Sequence, residues 1–252
     1  MRRLKGFFRA RWALGSPEHG VLRWRNLLEG RLATGIPGLD EMTGGGWIVP
    51  SSVLIVGAPG TGKTTLAVQT LFAGARNGES GIYFTGIAEP AWVVQQFLKG
   101  FDFFDQAMVD RGKVVFADVG PAMRRSPQEA VAMIEKEVER MGPARIVIDP
   151  VTALHTAIES EKQYREVLHD LTSYMKGLNC VFVMTSEHDF EHHKGLVEAY
   201  MVDAILVLTQ PKEGAIRRKY LEVLKMRGTK HVTGEHVADL NKTGFVVQPG
   251  LR

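Results

Sequence analysis

The sequence predicts an α/β fold: a mostly parallel central sheet flanked by helices, with antiparallel hairpins at its C-terminal end. Three observations predict it. Short apolar runs alternate with segments of helical spacing as far as Val202, which implies crossover units and a sheet covered on both faces. A glycine-rich loop separates the first such run from the first such helix. Beyond Val202, short strand-like segments follow one another through tight turns.

The elements follow in order. Thr34 to Asp40 and Gly44 to Gly46 are dense in turn formers and read as a connector around the first core strand. Ser52 to Val56 is a buried strand, and Thr64 to Asn77 shows helical spacing that stops near Gly78. Strands are predicted at Gly81 to Thr85, Lys113 to Ala117, Arg145 to Asp149 and Cys180 to Thr185. Helices are predicted from Pro90 to Leu98, from the Ser126 cap to about Met141, and from about Glu159 to Lys176. Asp203 to Thr209, Lys219 to Met226, Glu235 to Leu240 and Phe245 to Gln248 complete the set as strands.

A chain of 252 residues, 44% hydrophobic and 23% charged, accommodates one large domain with appendages and excludes a disordered chain. Residues 1–30 read as a basic, aromatic arm and residues 31–252 as the domain. Residues 1–31 hold eight basic against two acidic residues, a local charge of +6 that leaves about −3 of the net +3 to the rest. Phe7, Phe8, Trp12 and Trp24 are interleaved with those charges. The arm suits packing on its own or a neighbouring subunit, or an unknown partner: an acidic protein, an anionic membrane surface or a nucleic acid. No apolar stretch reaches the roughly 18 to 20 residues of a transmembrane span, and Arg9 and Arg11 interrupt any signal-peptide core. The single cysteine, Cys180, lies in an apolar run and has no disulfide partner in the chain, which fits a cytoplasmic protein.

Gly57-Ala58-Pro59-Gly60-Thr61-Gly62-Lys63-Thr64 matches the phosphate-binding pattern GxxxxGK[ST], with Thr65 following in the helix. The glycines let backbone N–H groups turn toward phosphates, Lys63 reaches the β and γ oxygens, and the Thr64 hydroxyl is placed to ligate Mg²⁺. ATP and Mg²⁺ are therefore the expected cofactors. Asp149, closing an apolar strand, is either the carboxylate of the Mg²⁺ shell or a cap for the segment after Pro150. His188 to His193 packs three imidazoles and two carboxylates without a defined zinc spacing, and reads as a polar loop before a metal site.

Four segments, "TGIPGLDEMTGGG", "GAPGTGKTT", "RIVIDPVTAL" and "LEVLKMRGTKH", together resemble the KaiC branch of the RecA superfamily. The resemblance runs from about Arg31 to Pro249. It implies a RecA-like core and a homo-oligomeric ring, hexameric in the family, with ATP at subunit interfaces. It also implies that Lys225 and Arg227 reach the γ-phosphate of the neighbouring subunit, as an arginine finger in trans. On the residues alone, Lys225 and Arg227 alternate with Leu224 and Met226 and project from one face. That pattern equally fits the charged face of an edge strand.

Two departures from the family qualify the activity. The paired glutamates that supply the family's general base fall on Ile87 and Ala88, leaving Glu89 one position beyond. A one-residue shift turns a side chain to the opposite face, so Glu89 serves only if Gly86 bends the strand. The serine and threonine phosphorylated in the kinase domain of the family's circadian-clock members fall on Ala199 and Tyr200, which argues against autokinase activity. The expectation is a slow ATPase acting as an oligomeric, nucleotide-dependent switch in signalling. Its alternatives are a non-hydrolysing scaffold and, less favoured by the charge distribution, a recombinase-like ATPase stimulated by DNA.

Overall fold

A computed structural model describes residues 30–86, 89–158, 160–188 and 196–250. The chain divides into two units, Met1–Arg31 and Leu32–Arg252; of the first, only Gly30 and Arg31 are described. The expected arm thus lies almost entirely outside the described residues, as do Ile87, Ala88 and residues 189–193.

The second unit is built on a nine-stranded sheet. Its strands are β1 (Ser51–Gly57), β2 (Gly81–Thr85), β3 (Val114–Asp118), β4 (Arg145–Asp149), β5 (Val181–Ser186), β6 (Ala204–Thr209), β7 (Lys219–Met226), β8 (Glu235–Asn241) and β9 (Gly244–Val247). They lie in the order β9, β8, β7, β6, β1, β5, β4, β2, β3. β1 to β6 are mutually parallel, and β7, β8 and β9 add antiparallel strands at one side. This is the predicted architecture.

The continuous apolar runs of the parallel strands follow from burial on both faces. Successive side chains alternate, so Val53 and Ile55 enter one core with Tyr83, Val147 and Val183, while Leu54 and Val56 enter the other with Phe84, Ile148 and Met184. Helix α1 (Leu39–Met42) interrupts the segment read from sequence as a plain connector. Helix α2 (Lys63–Arg76) covers the first core through Leu66, Leu71 and Phe72. Next come α3 (Ala91–Leu98), α4 (Gln106–Asp110) and α5 (Gly120–Arg125), of which only α3 was legible from spacing.

The second core is covered by α6 (Pro127–Met141) and α8 (Glu161–Gly177), with the short α7 (Thr152–Ala157) between them. The Ser126 side chain caps α6 as expected, accepting from the Glu129 amide at 3.1 Å. α9 (Val197–Met201) leads into β6. Where β4 begins, the fully buried Arg145 donates twice to Glu79, at 2.6 and 3.1 Å, and once to the Thr70 carbonyl at 2.9 Å. That triad ties β4 to α2, the helix that carries the phosphate loop.

β1 lies between β5 and β6, and the connection from β5 to β6 crosses it. The strand order reverses there, and in open α/β sheets the crevice at the C-terminal ends of such strands is where ligands bind. Among the described residues no helix is long and apolar enough to cross a membrane.

Candidate nucleotide-binding site

The loop Gly57 to Gly62 leaves the C-terminal end of β1 and enters α2 at Lys63. A side chain at Gly57 would place its Cβ 2.4 Å from the Leu208 carbonyl of the adjacent strand, so only glycine fits. Gly62 has φ +107° and lies against the Phe245 ring, which closes the turn into the helix. The Lys63 side chain folds over the loop, its Nζ donating to the Gly57 carbonyl at 2.8 Å and to Ala58 at 3.1 Å. Burial pushes its pKa below the ordinary lysine value, against support from the carboxylates of Glu187 and Asp149. Thr64 is half-buried in the first turn of α2, and Thr65 is buried beside it.

Asp149 ends β4, two strands from the loop, and is buried. Its carboxylate does not cap the following helix, whose N-cap is Val151 and makes no side-chain capping bond. It accepts instead from the Tyr83 hydroxyl on β2, at 2.7 Å, and from the Thr185 hydroxyl on β5. Tyr83 is held well above the usual phenol range by burial first, then by the charge and hydrogen bond of Asp149, and by Glu89. It is therefore a permanent donor. Two neighbouring strands thus orient one carboxylate toward the end of the sheet where Lys63 lies.

Glu89 is exposed, and its backbone carbonyl accepts from the Thr85 hydroxyl at 2.5 Å. β2 pairs in regular register through Thr85 with both neighbours, and a side chain at Gly86 would meet Ala153 at 2.7 Å. Glu187 follows β5 directly, one residue beyond the Val56–Ser186 pair and so level with Gly57. Next to it, His188 Nδ1 lies 2.9 Å from the Ser186 hydroxyl. Glu187, His188, Pro150, Thr152 and His155 line a depression of about 410 Å³ at the C-terminal ends of β4 and β5.

Lys225 and Arg227 lie at the other end of the sheet. β7 runs antiparallel to β6, so its first residue, Lys219, stands at the loop and its last at the N-terminal end of β1. Seven residue steps of extended chain separate the two ends by roughly 20 Å. The expected strict alternation is broken: a register shift between Val223 and Lys225 leaves Leu224 exposed and Met226 buried. Lys225 Nζ donates to the Val202 carbonyl at 2.8 Å, and Arg227, largely exposed, pairs with Asp203 at 3.2 Å. Burial opposes the charge on Asp203, but hydrogen bonds from Lys176 and Ser52 outweigh it and hold that carboxyl below its usual value.

The fold therefore gathers Gly57 to Thr65 and Asp149, keeps Glu89 at the edge, and removes Lys225 and Arg227 from their own chain's loop. Tyr83, Thr185, Glu187, Gln210 and Lys219 were not read as site residues from sequence. Tyr83 and Thr185 look like ordinary strand residues, and Lys219 looks like one more charge in Arg217-Arg218-Lys219. Only strand order brings Tyr83 and Thr185 to Asp149, and Gln210 and Lys219 to the loop. The glycine cradle, the lysine over it, a hydroxyl at a helix N-terminus and an oriented buried carboxylate together fit a nucleoside triphosphate with a divalent cation.

A family model described as "ATPase: KaiC" matches residues 32–252. The circadian clock protein KaiC3 of Synechocystis sp. is 31% identical over 231 residues, covering 87% of this chain and 46% of that protein. The circadian clock oscillator protein KaiC 1 of the same organism is 31% identical over 247 residues, covering 92% of this chain and 45% of that protein. The chain thus spans about half the length of the curated relatives it matches. Among solved structures, the KaiC-like protein PH0186 of the archaeon Pyrococcus horikoshii OT3 superposes with a TM-score of 0.78 at 27% identity, covering 87% of this chain and 99% of that one. The chain, with its RecA-like fold, belongs to the KaiC ATPase family.

Proposed function

We propose that this chain binds ATP with Mg²⁺ at Gly57 to Thr65, hydrolyses it slowly, and works as a nucleotide-dependent switch in a ring of identical subunits. One observation carries the reading: the loop lysine and the oriented Asp149 lie at one end of the sheet, while Lys225 and Arg227 lie at the other. A cationic pair so placed serves a phosphate site only on another copy. A contact that joins opposite ends of one surface is head-to-tail, and such contacts form a ring when the rotation between neighbours closes.

In this reading the loop amides and Lys63 hold the phosphates, and Thr64 and Asp149 hold the cation, which supplies charge neutralisation at the β and γ oxygens. Tyr83 and Thr185 keep the Asp149 carboxylate aimed. Glu89 is the carboxylate proposed to orient the attacking water; β2 keeps its register through Thr85, so only the turn from Gly86 onward could bring it there, and its exposure fits a low turnover. The proposed domain is residues 31–252, with residues 1–30 a partner-binding arm.

Phosphate release by the full chain and by Glu89→Ala tests the catalytic half of the reading. The expected result is slow wild-type turnover that drops about tenfold in the variant, below the usual hundred- to ten-thousandfold of general-base effects because the group is exposed. Binding of ATP with no release from either protein would leave a nucleotide-binding scaffold. Size measurement with and without ATP tests the assembly.

A further inference from the structure

Four consecutive carbonyls of the phosphate loop are engaged by side-chain donors. Lys63 takes those of Gly57 and Ala58, the Gln210 amide donates to Pro59 at 3.0 Å, and Lys219 Nζ donates to Gly60 at 2.6 Å. Gln210 and Lys219 also bond each other, Nζ to Oε1 at 3.1 Å. Both come from the junction where parallel β6 gives way to antiparallel β7, outside the glycine-rich pattern and about 150 residues downstream of it.

We propose that Lys219 and Gln210 are positioning residues of the phosphate loop, holding the Pro59 and Gly60 carbonyls outward so that the Gly60 and Thr61 amides face the ligand. In a trans peptide the C=O of one residue and the N–H of the next point in opposite directions. Fixing the Pro59 oxygen on one side therefore fixes the Gly60 N–H on the other, and likewise for Gly60 and Thr61. In the free loop the Thr61 amide donates to the Ala58 carbonyl at 3.4 Å, a long bond that it would exchange for one to the ligand. A glycine-rich loop is the segment with the most backbone freedom to lose, so a brace fixed on the sheet lowers the cost of ordering it around an anion. Burial lowers the pKa of Lys219 and Asp239 opposes it, so the amine is partly withdrawn from solvent where it meets the loop. The proposal rests on the reading of this loop as a nucleotide site.

The test is the affinity of the full chain for fluorescent ATP and ADP analogues, measured for wild type, Lys63→Ala, Lys219→Ala, Lys219→Arg and Gln210→Ala, with melting temperatures alongside. Each alanine variant at 210 or 219 is expected to weaken both nucleotides about five- to tenfold, the value of one charge-assisted or neutral hydrogen bond, with little change in melting. Lys219→Arg, which keeps a cationic donor, is expected to recover most of the loss. Because the two residues bond each other, the double alanine variant should lose less than the product of the single losses. Wild-type affinity in Lys219→Ala overturns the proposal, as does a loss confined to ATP, which would mean that Lys219 contacts the γ-phosphate directly. A wild-type chain that binds neither nucleotide overturns the nucleotide reading and this proposal with it. Binding that is lost only in Lys63→Ala overturns the brace alone.

Discussion

The phenol of Tyr83 donates to Asp149 Oδ2 at 2.7 Å across the β2–β4 pair. Removing that donor strands a buried, charged acceptor. Tyr83→Phe is expected to destabilise the fold by about 1–3 kcal/mol in Mg²⁺-free denaturant titrations. It should also weaken the dependence of nucleotide binding on Mg²⁺, since the carboxylate is no longer aimed. Unchanged stability in Tyr83→Phe would mean that solvent already satisfies Asp149.

Lys63 is neutralised more readily than a free lysine because it is buried, and Glu187 is the foremost support of its charge. Bound phosphate favours the ammonium, so the pKa is higher with ligand than without. Affinity is then fully present below the free-protein pKa and declines as pH rises through it. Glu187→Gln removes that support and is expected to move the alkaline loss of nucleotide affinity to lower pH. A profile that superposes on wild type would place Glu187 outside the site.

The distance between Lys219, at the start of β7, and Arg227, just past its end, makes complementation the decisive test of assembly. Arg227→Ala is expected to lower phosphate release by a factor on the order of 10³ if the guanidinium acts as a finger. Mixing it with Lys63→Ala, itself inactive, pairs intact loops with intact fingers and should recover up to about a quarter of wild-type turnover in a ring of random order. No recovery above either parent would argue for a site complete within one chain.

Glu79 is the partner that makes the buried Arg145 tolerable. Glu79→Ala leaves an uncompensated guanidinium against α2 and is expected to cost about 3–5 kcal/mol in unfolding free energy. Glu79→Gln, which keeps one acceptor, should cost less. If Glu79→Ala costs under about 1 kcal/mol, water has replaced the pair.

The sequence by itself determined the sheet, because fully buried parallel strands need unbroken apolar runs and the covering helices carry caps that can be read residue by residue, as at Ser126. It also determined the phosphate loop, whose chemistry lies within eight consecutive residues. The short helices at Gln106–Asp110, Gly120–Arg125 and Thr152–Ala157 were not legible, because pieces of five or six residues are too short to establish a period. Tertiary structure alone decided the rest. Tyr83 and Thr185 meet Asp149 only through strand order, and Gln210 and Lys219 reach the loop only because β6 lies beside β1 and β7 beside β6. The same sheet, antiparallel at β7, carries Lys225 and Arg227 to the end opposite their own chain's phosphate loop. A pattern of residues fixes which chemistry is available; which groups share a site depends on contacts between segments 36 to 159 residues apart, and no local period encodes those.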